Sequence, residues 1–166
     1  MNFELKSSDN IFIAGASGMV GSSIKREFLR LGYNEDGNDG RILTPSREAL
    51  DLLNLVEVEK WFKKYKPTIV IIAAAKVGGI IANFENPYNF LFQNLKIQNN
   101  LIENAWKSNS KRLLFLGSSC IYPKFANQPI VEEELLTGSL EKTNDCYAIA
   151  KIAGLRLCQA LREQYS

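Results

Sequence analysis

Residues 11–24 read IFIAGASGMVGSSI, and this stretch decides the fold. Ile11, Phe12, Ile13 and Ala14 form a short unbroken apolar run, the pattern of a parallel strand covered on both faces. Gly15, Ala16, Ser17, Gly18, Met19, Val20 and Gly21 follow at once, with glycines spaced G-x-x-G-x-x-G. Val20, Ile24, Phe28 and Leu31 then recur at helical spacing, which predicts a helix ending near Gly32. Strand, glycine turn and helix in this order suit the pyrophosphate of a dinucleotide. The first glycine permits a sharp turn, the second lets backbone approach the phosphates, and the third lets helix and strand pack closely. Free N–H groups at the helix start favour the ligand's negative charge.

Outward from this motif, strands and helices alternate. Ile42 and Leu43 predict a second strand beyond an acidic, glycine-rich excursion at 33–40. Asp51 suits a helix cap or the end of a turn. Val56, Val58, Trp61, Phe62 and Tyr65 give a helix with a broad apolar face, closed by Lys66-Pro67. The run TIVIIAAA at 68–75 is the clearest strand, and LLFL at 113–116 reads as another buried one. Pro87 opens a long helix with two apolar stripes. Leu91, Leu95, Ile102 and Trp106 form one; Phe90, Ile97, Leu101 and Ala105 form the other. They either line one core or face a partner as well. A last helix runs from near Tyr147 through Leu161. The fold class is α/β, a doubly wound, mostly parallel sheet of Rossmann type, with residues 1–166 forming one nucleotide-binding domain.

Composition narrows the function. The 166 residues carry 20 Lys plus Arg against 18 Asp plus Glu, a net charge of +2 that argues for neither nucleic acid nor a membrane surface as partner. With no histidine and three scattered cysteines, neither a zinc motif nor a disulfide framework is expected, so no metal site is assigned. No run is long enough to span a bilayer and the N-terminus lacks a signal-peptide pattern, so a cytoplasmic enzyme is expected.

An acidic residue usually holds the cofactor ribose about twenty residues past the glycines. Asp36 and Asp39 lie in that region, but within the irregular excursion. Ser46-Arg47 follows the second strand, and a guanidinium fork matches a 2′-phosphate, which favours NADP(H) over NAD(H). Tyr147 and Lys151 share one helix face at i, i+4. A nearby ammonium is expected to lower the tyrosine pKa, readying it to exchange a proton with a sugar oxygen during hydride transfer. Ser118 and Cys120 stand just past the strand at 113–116, where ligands lie in open α/β sheets. Ser118 is placed to hydrogen-bond a substrate oxygen, and Cys120 to move a proton as a thiolate.

These pieces stand within longer strings: AAAKVGGI at 73–80, FLGSSCIYPK at 115–124 and YAIAKIAG at 147–154. Together with residues 15–21 they resemble the GDP-L-fucose synthases, the GDP-4-keto-6-deoxy-D-mannose epimerase-reductases of the extended short-chain dehydrogenase superfamily. The likeness departs at 33–40 and at Cys146, where proline is familiar. It implies that Ser118, Tyr147 and Lys151 form a reductase triad and that Cys120 moves protons at the epimerised carbons. It also implies that Ala74, Ala75 and Asn94 lie near the cofactor and that Arg47 takes the 2′-phosphate. The substrate would be GDP-4-keto-6-deoxy-mannose. The helices at 87–107 and 147–161 would pair in a homodimer, with Ala150, Ala153 and Gly154 permitting close approach. The chain would stop before the family's last strands, substrate domain and proton-donating histidine. Two other readings stand beside this one: a different extended short-chain nucleotide-sugar epimerase or dehydratase, and a non-catalytic NADP(H)-binding module.

Overall fold

The computed structural model describes residues 4–36 and 40–165. Four parallel strands form one sheet in the order β2-β1-β3-β4: β1 (Ile11–Ala14), β2 (Ile42–Leu43), β3 (Ile69–Ile72) and β4 (Arg112–Phe115). Ile11 pairs with Ile42 on one side and with Ile69 on the other. The chain therefore leaves β1 in one direction to reach β2 and returns across it to reach β3. That reversal is the switch point at which doubly wound sheets hold ligands, beyond the carboxyl ends of the strands.

Alternation along β1 builds two cores. Ile11 and Ile13 join Tyr33, Ile42, Ile69 and Ile71, with Ile24 and Phe28 of helix α1 (Met19–Arg30) packed against them. Phe12 points to the other face. Its ring lies 4.3 Å from that of Trp61 and 5.7 Å from that of Phe62, both on α2 (Leu55–Tyr65). Asn54, rather than Asp51, caps α2, its side chain accepting from Val56 N and Glu57 N. Asp51 closes a turn by accepting from Leu53 N at 3.0 Å.

Two expectations need correction. β4 is not buried like β1 and β3: it is the edge of the sheet, and Leu114 is 49% exposed. β2, at the opposite edge, keeps Ile42 and Leu43 buried, so the exposure of β4 comes from faces that are only partly covered. The apolar face of α1 is also narrower than its spacing suggested. Val20 and Leu31 are exposed at its ends while Ile24 and Phe28 pack inward.

The chain divides into two compact units. The first holds the described residues of Met1–Ala74 and Asn99–Leu116, hence the whole sheet. The second holds those of Ala75–Gln98 and Gly117–Ser166. It contains α3 (Ile80–Glu85), the start of α4 (Pro87–Lys107) and α5 (Asp145–Tyr165). On α4 the apolar residues Phe90, Leu101, Ile102 and Ala105 are buried, and so are the amides Asn94, Gln98, Asn100 and Asn104. The side chain of Asn100 donates to Leu52 O at 2.9 Å, and that of Asn104 to Asn100 O at 2.8 Å. Buried amides survive in a core only when such partners are present.

Candidate active site

In the first unit, the turn at 15–21 is built by exclusion of side chains. Gly15 has φ +82°, and a Cβ there would lie 2.7 Å from Ala74 N. A Cβ on Gly21 would lie 2.1 Å from Gly15 O. Gly18 is different, since its Cβ would meet nothing closer than 3.4 Å. Gly18 N donates to Gly15 O at 3.0 Å, closing the turn. Gly18 is also the N-cap of α1, where no side chain takes the first N–H groups and the first turn holds no acid. Ser17, Gly18, Met19 and Val20 are exposed around this helix start. Uncapped donors at the end of a turn whose Gly15 and Gly21 leave no space for a Cβ are what a pyrophosphate requires, so these residues fit a dinucleotide.

Arg47 is exposed in the turn that follows β2. Ser46 spends its hydroxyl inside that turn, accepting from Ala49 N at 3.3 Å. Its bond to Glu48 is also the main cause that holds the Glu48 carboxyl below its usual range. Of the acidic residues considered for the ribose, Asp36 is exposed and Asp39 lies outside the described residues. The neighbouring Glu35 is occupied, paired with Lys25 at 2.7 Å and accepting from Thr44 Oγ1 at 2.9 Å.

In the second unit, Ser118, Cys120, Tyr147 and Lys151 come together. Ser118 ends the extended backbone after β4 and caps a single 3-10 turn, Ser119–Ile121, which packs on α5. Its Oγ accepts from Cys120 N at 3.5 Å and from the Cys120 thiol at 3.1 Å. Lys151 Nζ lies 5.9 Å from the centre of the Tyr147 ring. Lys151 is only 4% exposed, and burial pushes its pKa down, opposed by the negative charge of Cys120.

The expected lowering of the tyrosine pKa is not found. Burial pushes Tyr147 up, the Cys120 charge pushes it further, and a hydrogen bond from Ser118 only partly offsets both. The ammonium sits under the ring, and its own charge is disfavoured by burial. A raised pKa keeps the phenol protonated, the form that serves as an acid.

Asn94 is buried with both ends of its amide in use. Its Oδ1 accepts from Lys76 N at 2.8 Å, and its Nδ2 donates to Lys76 O at 3.0 Å and to Phe90 O at 2.7 Å. It holds the loop that runs on from Ala75, so its own part is to fix that backbone. Gln98, one turn later, was not singled out by sequence reasoning. Its buried Nε2 donates to Ala150 O at 2.7 Å, fastening α5 at the residue before Lys151. A glutamine on the helix face that carries Phe90, Leu101 and Ala105 was the available signal. The same contact corrects the reading of the small residues on α5. Ala150 and Gly154 are buried inside the chain, where Ala150 meets α4.

Among the described residues no group of His, Cys, Asp or Glu is arranged to hold a metal ion. No helix among them is long and apolar enough to cross a membrane.

A glycine turn after the first strand and a serine–tyrosine–lysine cluster define a class, and sequence comparison agrees. A profile of the NAD dependent epimerase/dehydratase family matches residues 11–166, and the chain belongs to that family. Within it, the chain is similar to GDP-L-fucose synthases. It is 52% identical over 165 residues to that of Sinorhizobium fredii (strain NBRC 101917 / NGR234), covering 99% of this chain and 50% of the relative. It is 47% identical over 159 residues to that of Escherichia coli (strain K12), covering 96% and 48%. Among solved structures, a GDP-mannoheptose C4 reductase from Campylobacter jejuni with NADP bound superposes with a TM-score of 0.91. That pair is 35% identical, over 98% of this chain and 49% of the other. The chain spans about half the length of the curated relatives it matches.

Proposed function

We propose that this chain is the nucleotide-binding half of an NADP-dependent epimerase-reductase that converts GDP-4-keto-6-deoxy-D-mannose to GDP-L-fucose. The observation that carries the reading is the Cys120 thiol, 3.1 Å from Ser118 in the cluster that also holds Tyr147 and Lys151. Reduction alone calls for the serine, the tyrosine and the lysine. A thiol beside them adds a group able to take a proton from carbon, which epimerisation next to a ketone requires. The similarity to GDP-L-fucose synthases supports the substrate.

Residues 15–21 would hold the cofactor pyrophosphate, Arg47 the 2′-phosphate, and Lys151 a ribose hydroxyl. NADPH, when bound, supplies hydride. Ser118 orients the 4-keto oxygen and Tyr147 gives it a proton. Cys120 as thiolate removes the acidic proton on the neighbouring carbon. The NADP-bound relative supports the cofactor, and the exposed Arg47 supports NADP(H) over NAD(H).

A cytoplasmic homodimer belongs to the same reading. Tyr88 and Phe92 of α4 stack at 5.3 Å and are exposed, as is Ile149 of α5, which suits a helical interface between copies. The full-length enzyme in deuterated water with GDP-4-keto-6-deoxy-D-mannose tests the chemistry. The wild type is expected to place deuterium on the carbons flanking the ketone. Cys120→Ser should retain NADPH oxidation and lose most of that exchange. Unaltered exchange in Cys120→Ser would remove the epimerase half of the proposal.

A further inference from the structure

Glu35 stands about twenty residues past Gly15, where a dinucleotide-binding sheet ordinarily supplies the acid that takes the ribose hydroxyls. It reaches the ligand end of the sheet by an irregular route. Just before it, Asn34 lies alongside β2 as a parallel bridge to Arg41, and Asn34 O accepts from Ile42 N at 2.8 Å. The Glu35 carboxylate then meets Thr44, the first residue past β2, accepting from Thr44 Oγ1 at 2.9 Å. Phe12 pairs with Leu43 in parallel, so Thr44 lies at the same end of the sheet as the turn that begins at Gly15. Arg47 follows three residues later, exposed in the next turn.

A bare carboxylate at this end of β2 suits the 2′-hydroxyl of NAD(H) and repels the 2′-phosphate of NADP(H). Here the carboxylate is not bare. Lys25 of α1 holds the same oxygen, Oε1, at 2.7 Å. The bonds from Lys25 and Thr44, together with the Lys25 charge, outweigh burial and hold the Glu35 carboxyl below its usual range. The acid is therefore ionised at neutrality, and with the lysine it makes a pair of no net charge. We propose that Lys25 and Glu35 together set cofactor choice, Lys25 neutralising an acid that would otherwise exclude the 2′-phosphate drawn in by Arg47. This rests on the reading above, in which Arg47 takes the 2′-phosphate. An exposed ion pair contributes little to stability, so its effect is expected on the ligand rather than on the fold.

The test is calorimetric titration of the full-length enzyme with NADP⁺ and, separately, with NAD⁺. Lys25→Met keeps the apolar stem and leaves Glu35 uncompensated. It is expected to weaken NADP⁺ about three- to tenfold and to change NAD⁺ less than about twofold. Glu35→Gln keeps an oxygen for Thr44 and leaves Lys25 uncompensated. It is expected to tighten NADP⁺ by a similar factor, again with little change for NAD⁺. The double variant should bring NADP⁺ back near the wild-type Kd, and added salt should shrink both single effects. Both single variants should keep the wild-type melting temperature within about two degrees. A pair that merely braces α1 against β2 predicts the same sign for both substitutions, because either one breaks the same bridge. NADP⁺ weakened alike by both, or an unchanged ratio of NADP⁺ to NAD⁺ affinity in both, overturns the proposal. An Arg47→Ala variant that keeps wild-type NADP⁺ affinity removes the 2′-phosphate reading itself, and the proposal with it.

Discussion

The turn at 15–21 and the cluster around Ser118 do opposite things with their atoms. The turn works by what is missing. Its glycines leave room, its helix start leaves N–H groups uncapped, and nothing in it titrates near neutrality. The cluster works by what is present: a thiol, a hydroxyl, a phenol and a buried ammonium whose charges act on one another. A binding site made of space is damaged by adding a methyl group. A proton-moving site is damaged by removing one heavy atom.

The largest effect is expected from removing such an atom. Tyr147→Phe in the full-length enzyme should lower kcat for NADPH-dependent reduction by roughly 10²- to 10⁴-fold while NADP⁺ affinity changes little, as measured by steady-state kinetics and calorimetry. A matching loss of affinity would place the tyrosine in binding and blur the contrast.

Adding a methyl should do the reverse. Gly21→Ala forces a Cβ to within 2.1 Å of Gly15 O, so NADP⁺ affinity is expected to fall on the order of a hundredfold, with a stability cost of about 1–3 kcal/mol. Gly18→Ala sharpens this result, because its Cβ meets nothing closer than 3.4 Å. Its melting temperature should match the wild type, so any weakening of NADP⁺ binding would come from a blocked approach rather than a damaged fold.

Arg47→Ala comes next. Losing a charged contact to phosphate is worth roughly 2 kcal/mol, or some thirtyfold in Kd, for NADPH, with NADH unaffected. Equal losses for both cofactors would count against a 2′-phosphate contact.

Asp9 shows that a buried charge need not mark an active site. It is fully buried and accepts from Lys6 N, Thr68 Oγ1 and Lys111 Nζ at 2.9, 2.9 and 2.7 Å. Burial pushes its pKa up, but these bonds and the Lys111 charge outweigh it and leave the carboxyl below its usual range. Thr68 and Lys111 immediately precede β3 and β4, so this staple closes the amino ends of the strands, away from the ends where ligands lie. A lowered carboxyl contributes stability above its unfolded pKa and loses it as pH falls through the folded value. The melting temperature should therefore drop below about pH 4. Asp9→Asn should flatten that dependence, at a cost of about 1–3 kcal/mol near neutrality, and leave kcat untouched.

The same contrast explains what could be read in advance. The turn was legible because a strand, three glycines and a helix are contiguous in sequence. β2 was legible from two residues, Ile42 and Leu43. The cluster was legible as a set of residue types, but its electrostatics were not. Spacing placed Lys151 one turn from Tyr147 without revealing that the ammonium is buried under the ring. The edge position of β4 depends on strand order, which its four apolar letters do not encode. Gln98 and Ala150 stand 52 residues apart, so their bond is a fact of packing between α4 and α5.

The most direct test of the account is product analysis by NMR after the full-length enzyme is incubated with GDP-4-keto-6-deoxy-D-mannose and NADPH. The account predicts one NADPH oxidised for each GDP-L-fucose formed, with inverted configuration at the carbons flanking the reduced ketone. A 4-hydroxy product that keeps the starting configuration at those carbons, or no NADPH oxidation by enzyme that binds NADPH, would contradict it.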